Sequence, residues 1–372
     1  MTGHAYIGAD IFDGTAIHEG CAILIEDGHF DKIIPKDAIL PGFVVTQVDG
    51  GTIAPGLVDL QVNGGGGVML NDQTTLDGIK TIADAHRRMG TCAIMPTLIT
   101  DTPDRTRAAI DAVEIAIARG IPGILGIHLE GPHLSIARKG AHRADLIRPM
   151  TAEDEDFLCN AAMRIPNVMV TVAPENVGLD QITRLTNAGV IVSLGHTDCD
   201  GDTARAAFAA RATCVTHLFN AMSQMQSRAP GLVGAALADR TIAAGLIADG
   251  IHVHPMTMEA ALAANDRIFL VSDAMATTGT DLSSFQLNGR TILRKDGRLT
   301  LEDGTLAGAD LHMAKAVTTL IDAVGVSHQR ALRMATSLPA SVLNDPLGFG
   351  AFTPGAPWHG VHFSRNGRCK PL

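Results

Sequence analysis

LVDLQVN (57–63) is the first of eight short apolar segments that alternate with alanine-rich stretches along the middle of the chain. The other seven segments are TCAIMPTLI (91–99), ILGIHLE (124–130), VMVTVAP (168–174), VIVSLGH (190–196), TCVTHLF (213–219), IAAGLIAD (242–249) and IFLVSDA (268–274). Apolar strands that alternate with helices are typical of parallel βαβ units. Because there are eight repeats, the sequence predicts an α/β protein with a closed (β/α)8 TIM-like barrel rather than an open sheet.

The stretches between these segments predict helices with well-marked starts. Thr102 and Pro103 form an N-cap followed by proline at the first helical position, and Thr151 with Asp154 resembles a capping box. The predicted helices are 75–89, 104–119, 152–163, 178–188, 202–211 and 255–264, followed by 309–324 and 328–337.

Both ends of the chain have a different pattern, with short strand-like pieces separated by Gly, Asp and Pro. We expect residues 1–54 and 345–372 to form one small β-sandwich domain. Residues 55–344 would then form the barrel, with a β-hairpin insertion around 283–305, where the sequence becomes polar.

Composition narrows the class of function. A formal net charge of −10 argues against nucleic acid or an anionic membrane surface as a partner, and 3% aromatic residues argue against a base-stacking platform. The six cysteines are scattered without a CxxC pair, which indicates reduced thiols rather than a disulfide framework. The first ten residues lack the features of a signal peptide, and no apolar run approaches the length of a membrane span. We therefore expect a cytoplasmic protein with a small-molecule partner.

In a barrel of this type, reactive side chains lie at the carboxyl ends of the strands. The residues at these predicted ends are Gln61, Asn63, Thr97, Glu130, Glu175, His196, His217, Asp249 with His252, and Asp273. Carboxylates mixed with imidazoles indicate a hydrolytic metal centre. A catalytic Zn²⁺ commonly has three protein ligands and one water, and it lowers the pKa of that water to about 7.

Glu130, His196 and His217 would supply one carboxylate and two imidazoles from three strand ends. Each alone is compatible with a purely structural role, but three at corresponding positions favour a metal site. Asp273 either braces the turn after the eighth strand or acts as a general acid/base, and its position leaves both readings open. Of the pair His252 and His254, we expect His252 to contact substrate and His254 to be structural.

Six motifs together resemble those of the N-acetylglucosamine-6-phosphate deacetylases within the amidohydrolase superfamily. They are HLEGP (128–132), GHT (195–197), THLFNAM (216–222), ADGIHVHP (248–255), VSDAMA (271–276) and DGTLAGA (303–309). APGLVDLQVNGGGG (54–67) is similar to the start of the barrel in that family. The motifs cover most of the chain and are specific as a set.

The resemblance implies a role for each candidate residue. Glu130, His196 and His217 would hold one divalent metal ion, expected to be Zn²⁺, with Gln61 nearby or linked through water. Asp273 would be the general acid/base, and His142 would help to polarise the acetamide carbonyl. The residues implied to contact substrate are Asn63, Asn220, Ala221, Arg228, His252, Leu306, Ala307 and Gly308. Similar enzymes complete the phosphate site with a neighbouring subunit, so a homodimer is expected by analogy.

The sequence also departs from relatives of this kind. Gln61-Val62-Asn63 stands where many superfamily members have His-x-His and bind two metals, and a single metal is therefore expected here. His133 replaces a usual aromatic residue, Ala229 replaces a usual acid, and the C-terminal segment is short. Three alternatives remain: the same reaction on N-acetylgalactosamine 6-phosphate, a cyclic-amide hydrolase on the same barrel, and a catalytically inactive sugar-phosphate sensor.

Overall fold

Residues 3–372 are described by the computed structural model, and they begin with seven short strands. The strands are β1 (Gly3–Ile7), β2 (Asp10–Phe12), β3 (Ile17–His18), β4 (Cys21–Glu26), β5 (His29–Pro35), β6 (Phe43–Gln47) and β7 (Thr52–Pro55). Four of them form a sheet in the order β5-β4-β1-β6. Asp27 and Gly28 join β4 to β5 with positive φ angles of 48° and 79°, which suits the right-handed twist of a two-residue hairpin.

Eight parallel strands form the barrel. They are β8 (Leu57–Val62), β11 (Thr91–Ile99), β12 (Ile127–Glu130), β13 (Val168–Val172), β14 (Val190–Leu194), β15 (Cys214–Val215), β16 (Ala243–Leu246) and β17 (Ile268–Leu270); the short hairpin β9 (Gly64–Gly65) and β10 (Val68–Met69) follows β8. Consecutive barrel strands pair in parallel, and the first and last approach each other through a bridge between Val62 and Ala274. The predicted eight-stranded barrel is confirmed.

The helices pack around this barrel. They are α1 (Leu76–Arg87), α2 (Pro103–Ala118), α3 (Ala152–Ala162), α4 (Leu179–Asn187), α5 (Gly201–Ala209), α6 (Gly231–Ala238), α7 (Pro255–Ala264), α8 (Met313–Val324), α9 (His328–Ala335) and α10 (Ser337–Ala340). The N-cap at Thr102 and the capping box of Thr151 and Asp154 are present as predicted. Helix α6 was not predicted, because GLVGAALA has no polar face to produce a helical period.

Several barrel strands end earlier than the sequence predicts. The segment 213–219 was expected to be one strand, but only Cys214–Val215 pairs in the sheet. His217 has a φ of 27° and Phe219 a φ of 77°, so the chain turns out of the sheet immediately after the strand. His196 and Asp273 also have positive φ angles, 48° and 51°, which are uncommon for residues with a side chain. Unusual backbone therefore coincides with the predicted reactive residues.

A separate antiparallel sheet follows the last barrel strand. Its strands are β18 (Ser284–Leu287), β19 (Arg290–Lys295), β20 (Arg298–Thr300) and β21 (Leu306–Ala309). Leu287, Ile292 and Leu299 of this sheet form one core with Met69 and Met275 from the barrel loops. Ala309 also bridges to Ala274 at the end of the barrel. The insertion is therefore anchored over the carboxyl ends of the strands.

Strands from both ends of the chain meet in a second small sheet. β22 (Gly360–Phe363) and β23 (Cys369–Pro371) extend β7, β2 and β3 in the order β23-β22-β7-β2-β3. Ile11 and Ile53 of this sheet pack with Ile23 and Phe30 of the four-stranded sheet. Within residues 3–372, no helix combines the length and apolar character needed to span a bilayer.

Candidate metal centre and active site

Glu130, His196 and His217 converge at the mouth of the barrel. Glu130 is the last residue of β12, and the two histidines each lie two residues beyond the end of their strand. The His196 Nε2 and His217 Nε2 atoms are 3.1 Å apart, and they lie 3.2 Å and 3.0 Å from Glu130 Oε1. All three side chains are buried.

This triangle fits a small cation. Zn²⁺ bonds to nitrogen and oxygen are about 2.0–2.1 Å long, so tetrahedral ligands lie about 3.3–3.4 Å from one another. The three candidate ligand atoms are 3.0–3.2 Å from one another, which is close to this tetrahedral spacing. The His217 Nδ1 atom is buried and has no hydrogen-bond partner among residues 3–372. The donor set of one carboxylate and two imidazoles is one that catalytic zinc sites use.

The charge on Glu130 dominates the electrostatics of this cluster. Burial opposes its ionisation, but hydrogen bonds and charge from His196 and His217 lower its pKa well below the ordinary value. Burial lowers the pKa of His217, and the opposing hydrogen bond and charge of Glu130 raise it to a net value above the ordinary one. A negative carboxylate between two imidazoles is suited to attract a divalent cation.

His142 is a further metal-ligand candidate at this site. Ligand atoms of Glu130, His142 and His196 lie within 4.8 Å of one another. However, His142 Nε2 is 3.9 Å from Glu130 Oε2, whereas His217 Nε2 is 3.0 Å from Glu130 Oε1. The tighter set is therefore Glu130 with His196 and His217, and His142 lies beside it. Burial first, and the neighbouring His196 second, lower the pKa of His142 to about 3.

Asp273 faces the same centre from the end of the eighth strand. Asn63 Nδ2 donates to Asp273 Oδ1 at 2.6 Å. Gln61 Nε2 lies 3.2 Å from both Asp273 Oδ1 and Glu130 Oε1, so it bridges the two carboxylates. Burial, together with the charge of Glu130, raises the pKa of Asp273 to about 6. A carboxyl group with this pKa can both accept and release a proton near neutral pH.

One cavity of about 380 Å³ is lined by Glu130, His142, His196, His217 and Asp273. Its other walls include residues predicted to contact substrate, namely Asn63, Asn220, Ala221, His252, Leu306 and Gly308. His252 Nδ1 lies 2.6 Å from Asp249 Oδ2, and the other Asp249 oxygen accepts the backbone N–H groups of Ile251 and His252. Asp249 therefore orients His252 at the cavity wall.

Two of the residues predicted to contact substrate do not line this cavity. Arg228 is exposed in the loop between β15 and α6, outside the cavity wall. Ala307 is 1% exposed and packs into the core beneath the insertion sheet. Ala307 lies between the wall residues Leu306 and Gly308 in the sequence, and Arg228 lies seven residues after Ala221. Motif spacing alone cannot tell which side of a turn a residue occupies.

Other histidines and a threonine have structural surroundings. His128 lies 3.0 Å from the Leu60 carbonyl and 2.7 Å from the Thr171 hydroxyl, both at its ring nitrogens. His254 caps helix α7, as expected for a structural residue. Thr97, taken from the sequence as a strand end, lies inside β11 and bonds to backbone groups of Val62 and Met95.

Three parts of the site were not among the residues predicted from the sequence. Thr100 directly follows β11 and contacts His142. Arg138 lines the cavity, and its carbonyl lies 2.8 Å from His196 Nδ1. Arg290 of the insertion sheet donates to the carbonyl of Ala141, next to His142. The predicted segment 91–99 ends one residue before Thr100, so the strand-end rule would have found Thr100 if it had included the residue after the strand. No local pattern marks the other two.

Comparison with known proteins agrees with this geometry. The model of the amidohydrolase family matches residues 52–363. The chain is 39% identical over 345 residues to an N-acetylgalactosamine-6-phosphate deacetylase of Shewanella sp. (strain ANA-3), covering 91% of this chain and 86% of that one. It is 33% identical over 351 residues to an N-acetylglucosamine-6-phosphate deacetylase of Haemophilus influenzae, covering 93% and 91%.

Solved structures are similar over almost the whole chain. The crystal structure of N-acetylglucosamine-6-phosphate deacetylase from Pasteurella multocida has a TM-score of 0.95 and 31% identity, and the match covers 99% of this chain and 97% of that one. A Mycobacterium smegmatis structure with the same enzyme name has a TM-score of 0.91 and 28% identity, with coverage of 100% and 98%. The chain therefore belongs to the amidohydrolase family, in the branch of the amino-sugar-6-phosphate deacetylases, which confirms the resemblance seen in its motifs.

Proposed function

We propose that this protein hydrolyses the acetamide of N-acetyl-D-glucosamine 6-phosphate to glucosamine 6-phosphate and acetate, in amino-sugar catabolism or recycling. The observation that supports this most directly is the convergence of Glu130, His196 and His217 opposite Asp273. The relatives and similar structures have the names of enzymes that act on such substrates. We also propose a cytoplasmic location and, by analogy, a homodimer.

The side chains divide the reaction between them. A single divalent cation held by Glu130, His196 and His217, which we take to be Zn²⁺, would supply Lewis acidity and lower the pKa of a water molecule. Asp273 accepts a proton from the attacking water through its carboxylate. His142 donates a hydrogen bond to the carbonyl oxygen, where negative charge develops as the water oxygen adds to the carbonyl carbon.

The second half of the reaction returns the proton. As the carbon–nitrogen bond breaks, protonated Asp273 delivers its proton to the departing nitrogen, which leaves as the free amine. The acyl carbon keeps the oxygen of the water and leaves as acetate. Asn63 and Gln61 hold one oxygen of Asp273 in place during these transfers, since both amides donate to its Oδ1 atom.

The rest of the cavity suits a sugar phosphate. The turn Asn220-Ala221, together with His252, would bind the phosphate oxygens, and Leu306 with Gly308 would border the acetyl group. Arg228 is exposed and follows the cavity residue Ala221 by seven positions in the sequence. It would contribute if its loop folds over a bound phosphate or if a second subunit approaches it. These assignments give single residues a proposed role, whereas the family match concerns the chain as a whole.

The galacto epimer is a second candidate substrate. The Shewanella relative at 39% identity is named for the galacto substrate, and the Haemophilus relative at 33% is named for the gluco substrate. The two sugars differ only in the stereochemistry of one hydroxyl group. Overall identity therefore supports the reaction class more strongly than the choice of epimer.

A single assay tests these proposals. Acetate release is measured with both 6-phosphorylated epimers and with their unphosphorylated forms, and metal content is determined on the same sample. We expect turnover of a phosphorylated sugar with about one metal ion per chain. Equal turnover of the unphosphorylated forms would contradict a phosphate site and favour a broader amide hydrolase. Tight binding without acetate release, on a sample with metal bound, would indicate a sensor.

A further inference from the structure

Thr100 contacts the inner nitrogen of His142 through two groups. The backbone N–H of Thr100 donates to His142 Nδ1, with a nitrogen–nitrogen distance of 3.3 Å. The Thr100 hydroxyl oxygen lies 2.8 Å from the same Nδ1 atom. A backbone N–H group can only donate, so it requires a lone pair on Nδ1. The proton of the ring must then be on Nε2, the nitrogen that faces the cavity.

His196 has the opposite arrangement. Its Nδ1 atom lies 2.8 Å from the carbonyl oxygen of Arg138. A carbonyl oxygen can only accept, so Nδ1 carries the proton and Nε2 keeps its lone pair. The two rings are neighbours, with centroids 4.4 Å apart, yet their surroundings select different tautomers. His196 is therefore prepared to bind a cation, whereas His142 is prepared to donate a hydrogen bond.

Space for the Thr100 hydroxyl depends on a glycine in the neighbouring strand end. Gly131 has a φ of 88°, and a Cβ atom placed on it would lie 2.2 Å from Thr100 Oγ1. Any larger residue would displace the hydroxyl from His142. Within residues 3–372, the hydroxyl has one other hydrogen-bond partner, the Glu130 carbonyl at 3.4 Å, which is too distant to compete with Nδ1 at 2.8 Å.

We propose that Thr100 is a positioning residue that fixes His142 in the tautomer with the proton on Nε2. In this tautomer His142 donates to the carbonyl oxygen of the acetamide, and it is not a metal ligand. The catalytic part of this inference rests on the proposed function, whereas the tautomer itself does not. The same geometry distinguishes His142, the hydrogen-bond donor to the carbonyl oxygen, from the metal ligands His196 and His217, although all three are imidazoles in one cluster.

The tautomer is tested by NMR on the zinc-loaded protein labelled with ¹⁵N-histidine. The resonances of His142 are assigned by their loss in His142→Gln. We expect an Nδ1 shift typical of an unprotonated nitrogen that accepts hydrogen bonds, and a protonated Nε2. An Nε2 resonance typical of a metal-bound or unprotonated nitrogen would overturn the proposal, whether or not the protein shows deacetylase activity.

The contribution of the hydroxyl is tested by three variants. Thr100→Val keeps the shape and the backbone N–H but removes the hydroxyl, and we expect kcat to fall about 10-fold with little change in KM, as for the loss of one hydrogen bond to a catalytic group. Thr100→Ser should recover most of kcat. Thr97→Val, a matched loss of a buried hydroxyl three residues earlier in β11, should leave the His142 resonances unchanged.

The readouts distinguish the possible failures. An unchanged kcat in Thr100→Val, with unchanged His142 resonances, would remove the hydroxyl from the proposal. A similar shift of the His142 resonances in Thr97→Val would show a general packing effect and would overturn the positioning role. If no substrate is hydrolysed by the unsubstituted protein, the proposed function fails, and the NMR result alone decides the tautomer.

Discussion

Asp59 and Ser272 are 213 positions apart in the chain, yet the hydroxyl and the backbone N–H of Ser272 both donate to the carboxylate of Asp59. Asp59 lies on the first barrel strand, and Ser272 lies just beyond the eighth. The Gln61 backbone N–H donates to the same carboxylate at 3.2 Å. Within residues 3–372, the only strand pairing across this seam is the bridge of Val62 and Ala274. Asp59 therefore fastens the closing point of the barrel, next to Asp273.

We expect Asp59→Ala to destabilise the protein by about 3 kcal/mol, because it leaves buried donors at Gln61 and Ser272 without an acceptor. Activity should also fall, since Asp273 follows Ser272 directly. Asp59→Asn should cost much less, because one amide oxygen can still accept the two N–H groups. Denaturant unfolding and kcat of both variants are compared with those of Asp266→Ala, a change at an exposed acid just before the eighth barrel strand. Equal stability of the two Asp59 variants would contradict this role.

We expect Asp273→Asn to lower kcat about 1000-fold while fold and metal content are retained, because an amide cannot take up a proton from water. The unsubstituted enzyme should lose activity as the pH falls, since the base must be ionised. Burial and the charge of Glu130 raise the pKa of Asp273 to about 6, and a bound cation would oppose the effect of Glu130. The acidic limb of kcat/KM should therefore have a midpoint at or below about pH 6. A profile that is flat down to pH 4 would exclude Asp273 as the base.

Removal of the metal should abolish turnover. Glu130→Gln replaces the negative ligand by a neutral amide, and we expect metal content to fall well below one ion per chain, with activity reduced at least 100-fold. Treatment of the unsubstituted protein with a chelator should have the same effect, and added Zn²⁺ should reverse it. Glu302→Gln, at an exposed position of the insertion, is the matched control. Full activity of a protein shown by analysis to be metal-free would refute the proposed chemistry.

Asp154 predicts a pH-dependent contribution to stability. It belongs to the capping box of α3, and Arg148 Nη2 donates to its Oδ1 atom at 2.6 Å. Burial opposes its ionisation, but the bonds from Arg148 and Thr151 lower its pKa below the ordinary value. A depressed pKa stabilises the fold above the unfolded-state pKa of about 4, and this stabilisation is lost as the pH falls.

Asp154→Asn should therefore lower the free energy of unfolding by about 1 kcal/mol at pH 7, and by less at pH 3, where part of this stabilisation is already lost. Chemical unfolding at both pH values measures the difference. Asp156→Asn is the control, because Asp156 pairs with Arg184 at an exposed surface position. A loss for Asp154→Asn that is equally large at pH 3 would assign its effect to packing and not to charge.

The barrel was predictable because its signal is repeated. Strands such as Val168–Val172 are buried along their whole length, so they read as uninterrupted apolar runs at regular intervals. Strand ends were less predictable. The segment 213–219 has the composition of one continuous strand, but the backbone leaves the sheet at residue 216 because His217 adopts a positive φ, which no propensity scale foresees.

The convergence of the metal-ligand candidates could be predicted from topology, but the residues that contact and orient the histidines could not. Parallel strands bring their carboxyl ends to one rim, so the sequence alone predicts that Glu130, His196 and His217 lie together. The roles of Arg138 and Thr100 depend on which ring nitrogen each group meets, and this is fixed by loop geometry that local sequence patterns do not encode. Helix α6 was missed for a simpler reason, since a helix without polar residues has no amphipathic period.

The pairing of β7 with β22 has a consequence for biosynthesis. Ile53 lies opposite His362, so this sheet joins segments on either side of the entire barrel. A ribosome adding about 5–20 residues per second needs on the order of 15–60 seconds to pass from one partner to the other. During that interval the nascent strand Thr52–Pro55 lacks its partner β22, so one of its edges has unpaired backbone groups. Leu57–Val62, the strand from which the barrel starts, follows it directly in the sequence. Chaperone binding to the emerging chain would be most useful in this interval.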